Sequence, residues 1–414
     1  MKKRQKRKPR GRALSHKALS EVEALIHELP LQRDLLIEYF HLIQDHNRCI
    51  SVDHLHALAH LLKISQTEVY EVASFYHHFD IIKELKDCPP ELTIRVCDSI
   101  TCEMMGAEAL ITELEKAAGD SIRIQRVPCV GRCDTAPIAV VGTHPVEQAN
   151  ANKVLANAYN HQTTDIAPKA AIRYDDYVAK GGYTLYRQLL THDITSEDIL
   201  TELVDSGLRG LGGAGFPLGQ KWNIVSSQQA PRLMAVNIDE GEPGTFKDRY
   251  YLERDPHRFF EGMLLAAEVV GIAKIYIYLR DEYAGLRKLL TEELDTLRKQ
   301  LPDAPPIQLR RGAGAYICGE ESAMIESLEG KRGMPRLRPP YVAEVGLFGR
   351  STLEHNMESL YWVRDIVKKG ADWFTANGRH GREGLRSFSV SGRVNKPGVY
   401  LAPAGITLLE LIDE

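Results

Sequence analysis

Four of the seven cysteines come as two pairs, Cys97 with Cys102 and Cys129 with Cys133. Four converging thiolates can hold a tetrahedral zinc ion or an iron–sulfur cluster. Zinc sites usually grip the metal from tight pairs in knuckle turns. Here four residues separate the first pair and three the second. Pro128 and Gly131 shape the second loop for close approach. The looser spacing favours a 2Fe–2S cluster, with zinc and four reduced structural thiols as the alternatives. Cys49, Cys88 and Cys318 are isolated in the sequence.

A second group lies further on. The run from Ser206 to Pro217 packs five glycines into nine residues, Gly207 to Gly215. Such a stretch leaves backbone N–H groups bare, so a phosphate or a flat ring can lie against the main chain. Lys221 follows and can add a positive charge. A flexible turn would read similarly, and the order matches neither the dinucleotide fingerprint nor the phosphate loop of nucleotide hydrolases. Its sequel carries more. A buried-type strand, Leu233 to Ile238, ends among Asn237, Asp239 and Glu240 and runs into Gly241-Glu242-Pro243-Gly244-Thr245. Polar groups at the carboxyl end of a strand in an α/β sheet are where ligands bind.

The elements around both groups alternate. Leu92 to Val96 reads as a strand delivering Cys97, and Met104, Ala107, Leu110, Ile111 and Leu114 fall on one helical face. A strand from Ser121 to Gln125 delivers Cys129. A third strand spans Pro137 to Gly142, and a closing helix Val146 to Tyr159. Residues 161–180 are polar, contain Pro168 and read as a linker. Past the glycine run come a strand from Lys274 to Arg280 and a helix carrying Leu286, Leu290, Leu294, Leu297 and Leu301. A second glycine-rich turn, Arg311 to Glu321, feeds another helix. His56, His60, His77 and His78 have no carboxylate or cysteine at matching spacing and read as surface or packing residues.

The C-x4-C pair followed by Cys-Val-Gly-Arg-Cys resembles the thioredoxin-like 2Fe–2S ferredoxin of the small flavoprotein-arm subunit of respiratory complex I. The helical lead-in from Leu19 to about Phe79, with the segment Glu71-Val72-Ala73-Ser74-Phe75-Tyr76, is similar to that subunit, so the resemblance covers residues 18–160. Residues 175–414 resemble the NADH-oxidising FMN subunit. The runs that carry this are VNIDEGEPGTFKDR (236–249), GAGAYICGEE (312–321), SLEGKRG (327–333) and Arg338-Pro339-Pro340-Tyr341-Val342-Ala343. The same module occurs in NAD-dependent formate dehydrogenases and NAD-reducing hydrogenases.

The resemblance implies a role for each matching position. Gly210, Gly212, Gly213 and Gly215 would line FMN, with Lys221 touching flavin or nucleotide. Asn237, Asp239 and Glu240 would bond the polar edge of the flavin, which Tyr316 and Asn356 also contact. Phe216 would stack on NADH, and Gly319 would also belong to the cofactor-binding set. Glu242, Glu320 and Glu321 would be the nucleotide-side acids and favour NAD over NADP. Cys97, Cys102, Cys129 and Cys133 would hold the 2Fe–2S cluster. No side chain is needed as acid or base, because hydride passes directly between nicotinamide and flavin. Cys318 reads as packing. Leu211, Leu218 and His355 depart from the family's arginine, threonine and asparagine, which speaks for altered cofactor affinity or, as an alternative, a flavin-less electron-transfer or scaffold subunit. Ser387 to Tyr400 resembles the start of a small β-grasp-like domain. In the family a 4Fe–4S cluster would follow, and its cysteines do not occur before Glu414.

The expected architecture is therefore α/β and multidomain. A basic disordered tail (1–17) precedes a helical bundle (18–85), a thioredoxin-like 2Fe–2S domain (86–160) and a linker (161–180). A Rossmann-like FMN/NAD-binding α/β domain (181–384) and an incomplete β-grasp-like element (385–414) complete it. The expected function is a diaphorase subunit exchanging hydride between NAD(H) and FMN and single electrons with iron–sulfur centres. Its expected partner is the catalytic subunit of a formate dehydrogenase, with a hydrogenase or a respiratory NADH dehydrogenase as the alternative.

Composition agrees with this class. The chain has 414 residues, 43% hydrophobic and 26% charged, the balance of a globular protein. No apolar run is long enough for a membrane span, and none follows the basic N-terminus as in a secretory signal, so cytoplasm is the expected compartment. Residues 1–12 carry eight Lys or Arg and no acid, leaving the other 402 residues at −12 against a net charge of −4. An acidic body argues against nucleic acid as the main ligand. The tail reads as solvated, with binding to nucleic acid or an acidic partner as its alternative.

Overall fold

The computed structural model describes residues 13–414, so most of the basic tail lies outside the described residues. The chain divides into two compact units.

The first unit runs to Pro89 and includes Gly330–Arg332. Four helices build it, His16–Ile26, Leu36–Asn47, Val52–Leu62 and Gln66–Phe75, with two short parallel strands, β1 (Ile50–Ser51) and β2 (Ile81–Ile82). Serines start three of the helices by accepting an orphan backbone N–H: Ser15 from Ala18, Ser51 from His54 and Ser65 from Glu68, at 3.1–3.3 Å. Leu36, Phe40, Ile43, Leu58, Val69 and Val72 fill the core. Within the 71–76 segment Val72, Ala73 and Tyr76 are buried, and the Tyr76 hydroxyl donates to the Lys331 carbonyl at 2.7 Å. The rings of His41, His78 and Phe79 pack against one another.

The second unit, Pro90–Glu329 with Gly333–Glu414, contains two four-stranded sheets and a hairpin. The first sheet has the order β4-β3-β5-β6, with β3 (Leu92–Cys97), β4 (Ile122–Val127), β5 (Ala139–Val141) and β6 (His144–Val146). The β3–β4 pair is parallel and the other two pairs are antiparallel. Helices Ala107–Ala117 and Ala151–Tyr159 close its core through Leu110, Ile111, Leu114 and Val154. Two boundaries differ from the sequence reading. Gly106, at φ 98, breaks the first helix and leaves Met104 exposed in a separate short helix. Val146 ends a strand, and the closing helix starts only where the Asn150 side chain caps Lys153 N–H at 3.0 Å.

The second sheet is all parallel, in the order β10-β7-β8-β9: β7 (Arg232–Ile238), β8 (Ile272–Leu279), β9 (Ile307–Arg311) and β10 (Thr352–Asn356). Parallel strands need crossover helices on both faces, which is why these strands read as continuous apolar runs. Helices Pro256–Val270 and Met357–Lys369 cover one core, with Phe259, Phe260, Leu264, Leu360 and Val363 at its centre. The segment read as a linker is not bare, since it ends in the helix Tyr174–Ala179, which buries Tyr174 and Tyr177. Two buried tyrosines three residues apart are too short a pattern to register as periodicity. A hairpin, β11 (Leu385–Val390) with β12 (Gly398–Pro403), and a helix Leu408–Asp413 occupy the region read as β-grasp-like.

Candidate functional site

The order of the parallel sheet fixes where a ligand can lie. The chain runs from β7 outward through β8 and β9 and then returns to the other side of β7 as β10. Connections therefore diverge between β7 and β10, and the gap outside their carboxyl ends is the crevice where α/β sheets bind ligands. Asn237, Asp239 and Glu240 stand at the end of β7, and His355 and Asn356 at the end of β10, with Asn237 opposite Asn356 in register.

The glycine run folds over this crevice. Arg209 and Pro217 pair across its neck, Gly210 N–H donates to the Phe216 carbonyl at 2.9 Å, and Leu211 N–H donates to Ser359 Oγ at 2.8 Å. A Cβ on Gly212 would come within 3.0 Å of the Asn356 side chain, whereas Gly213 and Gly215, at φ 113 and 66, face open space. A side chain would crowd Asn356 at the first position and strain the backbone at the other two. Phe216 and Tyr316 are exposed beside the site, and the Tyr316 hydroxyl donates to Glu242. Gly319 presents its carbonyl to the Asn237 amide at 2.9 Å.

Two features bear on whether a flavin fits. The loop offers bare backbone, and Asp239 keeps one carboxylate oxygen buried with no hydrogen-bond partner. A buried acceptor left open is costly unless a ligand completes it. Burial pushes the Asp239 carboxyl up to about 7, against the pull of Arg280. The residues present therefore fit a ring with hydrogen-bond donors at its edge.

The other expected contacts are divided. Glu240 is turned inward: its carboxylate accepts from the N–H groups of Asp248 (2.9 Å) and Arg249 (3.3 Å) and from the Tyr283 hydroxyl (3.0 Å). Burial and the neighbouring Asp248 raise it to about 7. Glu320 caps the helix Glu321–Leu328 through Ser322 and Ala323 N–H, and Arg338 bonds both Glu320 and Glu321. Lys221 reaches Glu354, donating to its carbonyl at 2.9 Å. Asn356 is held on all sides. Its amide donates to Asp248 at 2.7 Å, and its oxygen accepts from Lys247 at 3.2 Å and from Glu358 N–H at 3.1 Å. The three departures lie on the core side. Leu218 and His355 are buried, Leu211 packs against the core, and Trp222 Nε1 donates to His355 Nε2 at 2.8 Å. Burial then keeps the His355 imidazole far below its ordinary range and neutral.

The sequence reading overlooked Lys247, Asp248 and Glu358. The Lys247 ammonium sits buried between the two carboxylates at 2.6 and 3.1 Å, which hold it charged against the cost of burial. The signal for the first two was membership of the 236–249 run, where charged residues follow a strand end.

The four paired cysteines converge. Cys97 ends β3, Cys102 lies in the short helix Ile100–Met104, and Cys129 and Cys133 flank the turn after β4, all buried. The Cys129 and Cys133 sulfurs are 3.3 Å apart, and Cys97 hydrogen-bonds both Cys102 and Cys129. The N–H groups of Gly131 and Gly244 also point at Cys129, so bonds from Cys133, Cys97 and these amides hold its thiol far below the ordinary range. A buried cage of four sulfurs, with backbone amides aimed at Cys129 and Cys133, suits a thiolate-ligated cluster.

The two sites share a wall. Gly244, from the loop after β7, reaches the sulfurs of both Cys129 and Cys133, and Phe246 packs on that pair. Arg249 donates to the Gly131 carbonyl at 2.9 Å and pairs with Asp134 at 2.6 Å. Arg280, at the end of β8, bridges the Cys129 carbonyl (2.6 Å) and that of Glu240.

Comparison with known proteins agrees with this geometry. Residues 203–365 match the Nuo51 FMN-binding domain, and residues 22–159 match the thioredoxin-like [2Fe-2S] ferredoxin. The alpha subunit of the NAD-reducing hydrogenase HoxS of Cupriavidus necator is 35% identical over 85% of this chain and 64% of that subunit. The mitochondrial NADH dehydrogenase [ubiquinone] flavoprotein 1 of Dictyostelium discoideum is 37% identical over 67% of this chain and 60% of that protein. The chain thus spans about three fifths of the length of these relatives. A crystal structure of an air-oxidised NAD+-reducing [NiFe]-hydrogenase superposes with a TM-score of 0.79 at 32% identity, covering 92% of this chain and 70% of that one. The chain belongs to the complex I 51K flavoprotein family, in the form that fuses a thioredoxin-like 2Fe–2S ferredoxin to an FMN-binding domain in one polypeptide.

Proposed function

We propose that the protein is a diaphorase-type subunit, passing electrons between NAD(H) and iron–sulfur centres by way of FMN. The observation that carries this reading is the unpartnered Asp239 carboxylate oxygen in a glycine-bare crevice, joined by one short loop to four converging thiols. Bound FMN would supply the conversion between a hydride and single electrons, and a 2Fe–2S group would accept electrons one at a time. The chain's own residues bind and orient. Gly212, Gly213 and Gly215 admit a flat ring against the main chain, and Asp239 reads its polar edge. Phe216 offers an exposed aromatic face for a nicotinamide, and Glu242, with Tyr316, an acceptor for a ribose hydroxyl. Cys97, Cys102, Cys129 and Cys133 would ligate the cluster.

For the partner, a nickel–iron hydrogenase module is favoured over a formate dehydrogenase. The support is that the HoxS relative and two of the matching solved structures are NAD-reducing hydrogenases. Among the described residues no helix is long and apolar enough to cross a membrane, in keeping with such a setting. The test is spectroscopic. Purified protein should carry flavin absorbance near equimolar with polypeptide, bleached by NADH under anaerobic conditions. Protein with neither would sink the diaphorase reading in favour of a flavin-less scaffold.

A further inference from the structure

Cys49 and Cys88 have no part in the sites above. Both belong to the first unit and are far apart in sequence. Cys49 follows the helix Leu36–Asn47, where Arg48 turns the chain at φ 66, and it leads into β1. Cys88 follows the short turn Leu85–Asp87, just before the unit ends at Pro89. The fold nevertheless sets their sulfurs 3.2 Å apart, and both thiols lie against one carbonyl, that of Asn47, at 3.4 and 3.6 Å. Cys49 is buried at 3% exposure, and Cys88 is half-buried.

We infer that Cys49 and Cys88 form an intrachain disulfide site, closed reversibly by a small-molecule disulfide of the glutathione type. Two thiols in contact need only a small approach to reach bonding distance. Solvent access assigns the first step to Cys88. Its thiolate, having lost a proton to water, attacks one sulfur of the oxidant. A Cys88–sulfur bond forms, the oxidant's S–S bond breaks, and one thiolate leaves. Cys49 then gives up its proton and attacks the Cys88 sulfur, expelling the second thiolate. The two cysteines lose two electrons, and the oxidant's disulfide gains them as two thiols, which take up the two protons. Burial and the neighbouring Cys88 push the Cys49 thiol up to about 12, so it responds to the mixed disulfide instead of initiating. The closed bond would join the start of β1 to the segment leaving the unit. It would enclose β1, the helices Val52–Leu62 and Gln66–Phe75, and β2, a long loop of the kind whose closure most restricts an unfolded chain.

The test maps thiols in the full chain carrying its cofactors. The protein is incubated anaerobically with oxidised glutathione, alkylated, cut with trypsin and analysed by mass spectrometry. Cleavage after Arg48, Lys63, Lys86 and Arg95 places each cysteine in its own peptide, 49–63 and 87–95, with no other cysteine in either. The expected product is these two peptides linked, with loss of alkylation at both, and separated again by dithiothreitol. In Cys88→Ser, Cys49 should remain fully alkylated. Cys88 found only as its glutathione adduct, with Cys49 still alkylated, would overturn the inference. So would either cysteine bonded to a third in place of this pair. The wild-type map decides by itself, so a poorly folding variant cannot obscure the answer.

Discussion

At the scale of single residues, the carboxylates near the crevice differ in what they are free to do. Asp239 has an open oxygen, Glu242 is exposed with one bond to Tyr316, and Glu320 is committed to capping a helix. Glu242→Gln should therefore raise the KM for NADH several-fold and leave the melting temperature unchanged. Glu320→Ala should instead cost about 1 kcal/mol of stability, the usual worth of a cap, read as an earlier denaturant midpoint. Asp239 gives a pH signature. Its folded value near 7 lies above the ordinary 3.8, so the native state binds the proton more tightly than the unfolded chain does. Its contribution is thus fully present below pH 4 and lost as pH rises through 7. Flavin-free wild type should lose stability over that window more steeply than flavin-free Asp239→Asn, by up to about 1.4 kcal/mol per pH unit. Equal slopes in urea titrations across pH 4–7 would remove Asp239 as the titrating group.

At the scale of elements, much of the arrangement was legible because it is local. Strand β3 ending at Cys97, β7 ending among polar groups, and the glycine run all announce themselves through alternation or composition within a few residues. What was not legible is what those residues meet. Glu240 reads as a ligand contact from its place at a strand end, but the N-terminus of helix Lys247–Leu252 folds back onto its carboxylate. Glu320 likewise reads as a nucleotide acid until its own helix start claims it. Gly131 makes the point for glycines. It reads as shaping a loop, yet a Cβ there would meet the Tyr283 hydroxyl at 2.2 Å, more than a hundred residues away, and its φ is 71. Gly131→Ala should therefore displace the Cys129–Cys133 turn and lower bound iron several-fold, with flavin content less affected. Gly119→Ala, where a Cβ meets nothing and φ is ordinary, is the control. Iron assays that do not separate the two variants would show that the turn tolerates the displacement.

At the scale of the whole molecule, sequence order separated a ferredoxin half from a flavin half, but the second compact unit holds both. No spacing rule reveals this, because the junction is made of partners scattered through the chain. Gly244 sits on the sulfurs, Arg249 on the Gly131 carbonyl, and Arg280 bridges Cys129 and Glu240. The hairpin adds to it, since Thr101 meets Ser391 at 3.3 Å on one side and Ser389 accepts from Phe246 N–H at 3.1 Å on the other. Arg280 is fully buried and held charged by Glu282 and its other acceptors, and removing one member of such an array leaves the rest uncompensated, at a cost of several kcal/mol. The shared wall implies that occupancy of one site stabilises the other. Anaerobic removal of iron by a chelator should loosen the loop from Gly241 to Phe246 and so weaken FMN binding, expected at about tenfold for a coupling near 1.4 kcal/mol. Reciprocity then requires that flavin-free protein lose iron more readily by the same equilibrium factor. Titrating FMN into iron-loaded and iron-depleted protein by fluorescence quenching measures the first arm, and iron retention against chelator concentration the second. Equal FMN affinities in the two preparations would mean that the wall is a passive boundary, whatever its buried arginines contribute to the fold.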